Sequence, residues 1–245
     1  MDADTHEARA LSFGSVAEAY ERARPEYPPE AVAWLAGEPP RDVVDLGAGT
    51  GKLTRQLVAA GHRVVAVEPL PEMRAELERV VPEAHSLAGR GERIPLADAT
   101  ADVVTVAQAF HWFDQPAALA EIARVLRPGG TLGLVWNMRD YAVEWAARLS
   151  ETIGAERVDA VEVTATIDAT GLYGAVEQVE FQHAQRLDRE GLRDLVLSRS
   201  YCASRPPAER EAVLSQVEAL FDAEARDGEI VLPYVTHCSR AVRRL

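Results

Sequence analysis

The chain has 245 residues, 39 acidic against 26 basic, giving a formal net charge of −13, and only 2 cysteines. That length can bury a full core as one domain with an elaborated edge or cap, and the acidic balance disfavours a nucleic-acid partner, since such binders concentrate positive charge along the phosphate path. Two isolated cysteines exclude a disulfide scaffold, and no paired Cys or His spacing suggests zinc. The polar, acidic stretch Met1 to Ala10 lacks the basic and apolar regions of a secretory signal. No run approaches the roughly eighteen apolar residues of a membrane span, so no membrane association is expected and the cytoplasm is the expected location.

In chain order, Val16, Ala19, Tyr20 and Ala23 share one helical face until Pro25, Pro28 and Pro29 break the pattern, which suits a lid segment ahead of the first strand. Val43 to Lys52 then reads VVDLGAGTGK: an apolar strand ending in Asp45, glycines at 47, 49 and 51, and an amphipathic helix from Lys52 to Ala60. A buried strand feeding a glycine turn and a helix N-terminus presents bare backbone N–H groups to one small ligand. Gly47 lets the chain leave the strand sharply, Gly49 lets backbone approach the ligand, and Gly51 permits close helix packing against the strand. A phosphate-cradling P-loop is excluded, because only three residues separate Gly47 from Gly51 and Leu53 follows Lys52. A dinucleotide fingerprint needs a small residue where Lys52 stands, which leaves nicotinamide or flavin binding as a second reading.

Arg63 to Val67 is the second strand, and Glu68 ends it about 20 residues after the turn, where dinucleotide-type folds place a ribose-binding carboxylate. Pro69 to Val80 reads as a helix carrying Met73, His85 to Ala88 as the third strand, and Asp102 to Ala107 as the fourth, with Gln108 to Asp114 (QAFHWFD) its C-terminal loop. Ligands in open parallel sheets sit beyond the strand C-termini where the order reverses, so this loop is expected to face the glycine turn. Asp114 and Pro116 mark a helix start with Leu119, Ile122 and Leu126 inward. Arg127 to Gly130 stops that helix, and Thr131 to Trp136 is the fifth strand.

Beyond Asn137 the reading is a helix from Tyr141 to Ala155, a β-branched stretch from Val161 to Ile167, and a sixth strand from Val176 to Phe181. A helix capped by Asp188 follows, with Leu192, Leu195 and Val196 inward, leading to Arg199, Ser200 and Tyr201. A longer helix from Pro207 carries Val213, Val217, Leu220 and Phe221 on one face, and Ile230 to Tyr234 is the last strand. Arg240, Arg243 and Arg244 read as a solvated basic tail.

Four blocks carry a family resemblance: VVDLGAGTGKLTRQL (Val43 to Leu57), VVAVEPLPEMRAEL (Val64 to Leu77), GERIPLADATADVVTVAQAFHWFD (Gly91 to Asp114) and EIARVLRPGGTLGLVWN (Glu121 to Asn137). YERARPEYP (Tyr20 to Pro28) and EIVLPY (Glu229 to Tyr234) extend it more thinly. In order and spacing these resemble the class I S-adenosylmethionine-dependent methyltransferases of the small-molecule branch, most similar to the trans-aconitate methyltransferase-like group. The resemblance implies an α/β, doubly wound, seven-stranded and mostly parallel sheet of order 3-2-1-4-5-7-6 with strand 7 antiparallel, an N-terminal lid helix, and helices inserted before the last strand as a cap. It implies one domain over residues 1–245: lid helices to residue 40, a cofactor-binding core over 41–137 and an acceptor-side half over 138–245.

The resemblance further implies that S-adenosyl-L-methionine is bound, and S-adenosyl-L-homocysteine released, by Tyr20, Arg24, Asp45, Gly47, Ala48, Gly49, Glu68, Pro69, Met73, Gly91, Glu92, Gln108, Ala109 and Trp112. Arg90 departs from the acidic residue many relatives carry there, leaving adenine recognition to the backbone at Gly91 and to Glu92. Tyr27, His111, Trp136, Arg199 and Tyr201 are the implied acceptor contacts. The expected acceptor is an O or N atom of a small molecule, and the chain a monomer or homodimer. No metal is expected, because no acidic cluster surrounds Gln108 to Asp114 and Asn137, and AFHW replaces the Asn/Asp-Pro-Pro-Tyr loop of amide and adenine methyltransferases.

Methyl transfer from a sulfonium is an in-line displacement, so alignment carries most of the catalysis and a base matters when the acceptor bears a proton. His111 could be that base near neutral pH or position a ligand by hydrogen bonding. Trp112 could offer its face to the sulfonium or pack in the core. A same-fold enzyme of other chemistry, a non-catalytic cofactor binder and a nicotinamide oxidoreductase are the remaining readings.

Overall fold

A run of β-branched residues closed by glycines makes a short buried strand, and the computed structural model, which describes residues 21, 23–153, 160–198, 202 and 205–245, has such a strand at its centre. In chain order the described elements are α1 (Pro29–Ala36), β1 (Asp42–Leu46), α2 (Lys52–Ala59), β2 (Arg63–Val67), α3 (Pro71–Val80), β3 (His85–Leu87), β4 (Ala101–Ala107), α4 (Gln115–Val125), β5 (Leu126–Arg139), α5 (Glu144–Ile153), α6 (Ala160–Ala169), β6 (Glu177–Leu187), α7 (Arg189–Leu197), α8 (Pro207–Glu224) and β7 (Ile230–Val242). They form a seven-stranded sheet of order β3-β2-β1-β4-β5-β7-β6. β1 pairs in parallel with β2 and β4, β2 with β3, and β4 with β5, while β7 is antiparallel to β5 and β6. The expected order and orientation are the observed ones.

The described residues group into two units, with the division falling inside β5, β6 and β7. The first unit contains Glu26–Trp136, the described part of Val158–Phe181, and Thr236–Leu245. Its core packs Tyr27, Leu35, Leu53, Leu57, Val43, Val64, Val103 and Val135 together from α1, α2 and the central strands. Leu35, Leu53 and Leu57 are no more than 2% exposed, each contributing about 2 kcal/mol of burial. At the amino ends of the strands, Arg127 donates to Asp102 at 2.6 Å and to Asp42 at 3.0 Å, while Asp102 accepts the Asp42 N–H at 2.9 Å. That ring braces the strand ends opposite the glycine turn.

The second unit contains the described residues of 21–25, 137–153 and 182–235. Leu149, Leu195, Val217, Phe221 and Tyr234 form its core with Ala23. Asp188 caps α7 by accepting the Gly191 N–H at 2.8 Å, and Leu192, Leu195 and Val196 are its buried face. α8 buries Val213, Leu214, Val217 and Phe221, with Leu220 partly buried against them.

Several boundaries differ from the sequence reading. β5 begins at Leu126, directly after α4, and continues to Arg139, and β6 and β7 are likewise longer than expected, because pairing with neighbours recruits flanking polar residues into the ladder. The β-branched stretch Val161 to Ile167 lies in helix α6: the helix propensity penalty of Val, Ile and Thr is only a few tenths of a kcal/mol each, and burial of Val163 and Ile167 outweighs it. Arg240, Arg243 and Arg244 are not a solvated tail. Arg240 pairs with Glu177 at 2.7 Å and lies 4.3 Å over the Trp34 ring, Arg243 donates to the Leu126 carbonyl, and Arg244 donates to the Tyr173 carbonyl at 2.6 Å. Each bonds to a backbone or aromatic group that the strand order brings beside β7.

Candidate active site

The turn after β1 is built by backbone that only glycine adopts without cost: φ is +70° at Gly47, +57° at Gly49 and +90° at Gly51. The Gly47 and Ala48 N–H groups donate to the Val67 carbonyl at 2.8 and 3.2 Å, tying the turn to the end of β2. A methyl group on Gly47 would lie 2.7 Å from the Ala109 Cβ, whereas one on Gly49 meets nothing within 4 Å. Gly49 thus opens onto space. Gly51 packs differently from expectation: its bare face meets Leu77 and Val81 around α3, at 3.1 Å from an ideal Cβ, instead of the strand.

Glu68 completes the turn from the neighbouring strand. Only 6% exposed, its carboxylate accepts the Gly49 N–H at 2.9 Å on one oxygen and the Leu70 N–H at 3.0 Å on the other. Each oxygen therefore keeps a lone pair for a further donor. Burial raises its pKa, opposed by those two N–H groups and by Arg74, whose guanidinium donates to the Glu68 and Pro69 carbonyls at 2.9 Å. Beneath the turn, Asp45 is 1% exposed and accepts the hydroxyls of Thr54 at 2.6 Å and Thr105 at 3.1 Å. Burial pushes its carboxyl up to about 6 against those two donors.

The loop after β4 lies against the same turn. Gln108 has φ +55°, a left-handed backbone without a glycine, and its N–H donates to the Val135 carbonyl at 2.9 Å. The chain then winds a single 3₁₀ turn over Phe110–Trp112. Phe110 is fully buried and meets Phe113 edge-on at 6.2 Å, while the exposed His111 ring lies 4.9 Å from the half-buried Trp112 ring. The Phe113 ring sits against two glycines, 2.7 Å from an ideal Cβ on Gly91 and 3.4 Å from one on Gly47. Glu92 accepts the Asp114 N–H at 2.8 Å, and Asp114 caps α4 by accepting from Ala117 at 3.3 Å. The loops after β1, β3 and β4 are so locked together.

Of the residues singled out in the sequence, the first unit brings Asp45, Gly47, Ala48, Gly49, Glu68, Pro69, Gly91, Glu92, Gln108, Ala109, His111 and Trp112 to the carboxyl ends of β1 to β4. Met73 is 3% exposed near the start of α3, Tyr27 is 6% exposed in the core beside α1, and Trp136 is 3% exposed on β5. Arg24 belongs to the second unit, where it donates to the Ser198 hydroxyl and carbonyl at 3.0 Å. Tyr20, Arg199 and Tyr201 lie outside the described residues. Sequence reasoning missed Thr54 and Thr105, which hold Asp45, Leu70 and Arg74, which fix Glu68, and Phe113. Neither Thr105 nor Phe113 had a local signal: Thr105 meets Asp45 only through the β1–β4 register, and Phe113 meets the glycines only where the loops come together. Among the described residues no three His, Cys, Asp or Glu side chains group to hold a metal ion, and no helix is long and apolar enough to cross a membrane.

A doubly wound sheet with a glycine turn after β1 and an acid after β2 defines a nucleotide-type crevice of the methyltransferase kind. A methyltransferase domain model matches residues 44–134. An uncharacterized methyltransferase of Mycobacterium tuberculosis is 47% identical over 235 residues, covering 95% of this chain and 96% of that protein. An uncharacterized methyltransferase-like protein of Schizosaccharomyces pombe is 37% identical over 210 residues, covering 82% of each. A candidate methyltransferase from an antibiotic biosynthesis pathway of Anabaena variabilis has the same fold, with a TM-score of 0.67 at 21% identity over 86% of this chain and 95% of that one. The chain belongs to the class I S-adenosylmethionine-dependent methyltransferases.

Proposed function

We propose that this protein binds S-adenosyl-L-methionine in the crevice above Gly49 and transfers its methyl group to an oxygen or nitrogen of a small molecule, releasing S-adenosyl-L-homocysteine. The observation that carries the reading is the Glu68 carboxylate, pinned by the Gly49 and Leu70 N–H groups beside a turn whose central Cβ position is open. The residues suit such a ligand: the remaining lone pairs of Glu68 accept from two adjacent sugar hydroxyls, and the open Cβ position at Gly49 admits the chain of the ligand closely. When bound, the cofactor supplies a methyl group on a positively charged sulfur.

The protein's part is alignment and proton management. Glu68 orients the sugar, and Asp45, held by Thr54 and Thr105, braces the turn from beneath. Pro69, Met73, the Gly91 backbone, Glu92, Gln108, Ala109 and Trp112 line the cofactor side. Trp112 turns an aromatic face to the cationic sulfur. His111, exposed on the 3₁₀ turn next to Trp112, takes the proton of an acceptor hydroxyl as its oxygen attacks the methyl group, or removes the proton of an ammonium so that its nitrogen lone pair can attack. Tyr27 and Trp136 contact the acceptor. The acidic charge of −13 supports a small-molecule acceptor over a nucleic acid, and in this reading the enzyme works in the cytoplasm as a monomer or homodimer.

Calorimetric titration with S-adenosylhomocysteine tests the reading, with NAD as the control. Micromolar binding of the first and none of the second is expected. Binding of NAD with no response to S-adenosylhomocysteine would replace it with an oxidoreductase.

A further inference from the structure

Two departures from a fully satisfied structure lie side by side where the β4–β5 ladder ends. Trp136 is 3% exposed, and among the described residues its indole Nε1 has no hydrogen-bond partner. It follows Val135, whose carbonyl receives the Gln108 N–H where the β4–β5 ladder ends. Gln108 itself holds φ +55°, a conformation that strains a non-glycine residue. A buried donor left unpaired is destabilising. Such costs persist where the fold over-determines them, and they gather at ligand sites. Another orphan, the buried His62 Nδ1, lies just before β2, at the amino ends of the strands, and so belongs to no crevice of this kind. Trp136 is on the side where the glycine turn, Glu68 and the His111 loop converge.

We infer that the Trp136 indole N–H is the donor that holds the methyl acceptor, so the acceptor is a molecule bearing a carbonyl or carboxylate oxygen. This rests on the methyltransferase reading above and adds a substrate class to it. An indole N–H only donates, so it selects for an acceptor oxygen and gives no bond to an ammonium or to an alkyl group. Its burial makes the selection strong: a site built to donate one hydrogen bond rejects analogues lacking the oxygen, because the N–H is then left unpaired. The left-handed turn at Gln108 carries the β4 chain away at this level, so that the 3₁₀ turn with His111 starts beside the same point.

The test uses the full chain labelled with ¹⁵N and saturated with S-adenosylhomocysteine. The protein has 4 tryptophans, and the indole cross-peak missing in Trp136→Phe identifies Trp136. Malonate and malonamide are titrated in, the first presenting carboxylate oxygens and the second carbonyl oxygens; 1,3-diaminopropane is the control without oxygen. A downfield shift of the Trp136 indole proton with either oxygen-bearing probe, none with the diamine, and about tenfold weaker probe binding in Trp136→Phe at unchanged S-adenosylhomocysteine affinity is the expected result. The responding probe tells carboxylate from carbonyl. If S-adenosylhomocysteine binds but neither oxygen-bearing probe moves the peak, or the indole proton shows exchange with one ordered water that no probe displaces, the inference is overturned while the methyltransferase reading stands. If S-adenosylhomocysteine does not bind, the reading itself has failed.

Discussion

At the scale of single residues, the acid after β2 and the histidine after β4 make separable demands. Glu68 accepts a backbone N–H on each carboxylate oxygen, so Glu68→Gln must turn its amide NH₂ toward either Gly49 or Leu70. A donor then faces a donor, and the second sugar hydroxyl loses a charged acceptor. Together these losses are worth about 1–3 kcal/mol, and S-adenosylhomocysteine affinity by calorimetry is expected to fall about 10- to 100-fold with the far-ultraviolet spectrum unchanged; equal affinity would remove Glu68 from the site. His111 makes the opposite prediction, because it is exposed on the 3₁₀ turn at the end of β4. As a general base it is worth about 10²-fold in rate. His111→Ala is expected to slow methyl transfer by that factor and leave cofactor affinity intact, and unchanged turnover would leave the residue as scaffold.

At the scale of elements, the glycines divide into those that face ligand and those that face protein. Gly49 has open space where a Cβ would stand, at φ +57°, whereas a Cβ on Gly91 would meet the Phe113 ring at 2.7 Å. Gly49→Ala is therefore expected to cost about 1 kcal/mol of stability, from backbone strain alone, while weakening cofactor binding by more than tenfold. Gly91→Ala is expected to cost more, about 2–3 kcal/mol through overpacking, with chemical denaturation separating the two; equal destabilisation by both would contradict the assignment. This division also marks what could be read from the chain. The glycine turn, Glu68 and the Asp114 cap were legible because each is a local pattern with one conformational solution. The Phe113 contact was not, because it depends on loops from β1, β3 and β4 meeting in space. The helix over Ala160–Ala169 and the anchoring of Arg240, Arg243 and Arg244 were hidden for the same reason: a weak local preference gives way to partners that only the sheet order supplies.

At the scale of the whole molecule, two groups of carboxylates pull stability in opposite directions with pH. Arg63 and then Arg127 hold Asp42 below the usual carboxylate range, and Arg79 and Arg124 do the same for Glu76 and Glu121. Their contribution is present above the unfolded carboxylate range and is lost as the pH falls through their lowered values. Asp45 and Glu68 run the other way, since burial raises both. Their contribution is complete below the unfolded value and is lost as the pH rises, which for Asp45 means between the ordinary 3.8 and about 6. At neutral pH the buried Asp45 charge then costs at most about 3 kcal/mol. Asp45→Asn removes that titration and keeps one acceptor oxygen for Thr54 or Thr105, at the loss of part of the second hydrogen bond. Urea denaturation from pH 4.5 to 7.5 is expected to show the difference between variant and parent moving in the variant's favour by about 1–3 kcal/mol as the pH rises. A difference that stays flat with pH would mean that Asp45 is not an ionising buried group under the turn. Because Glu68 must be charged to accept from sugar hydroxyls, the same series run with S-adenosylhomocysteine is expected to show ligand stabilisation growing as the pH rises. The turn would then be least stable on its own under the conditions in which it binds best.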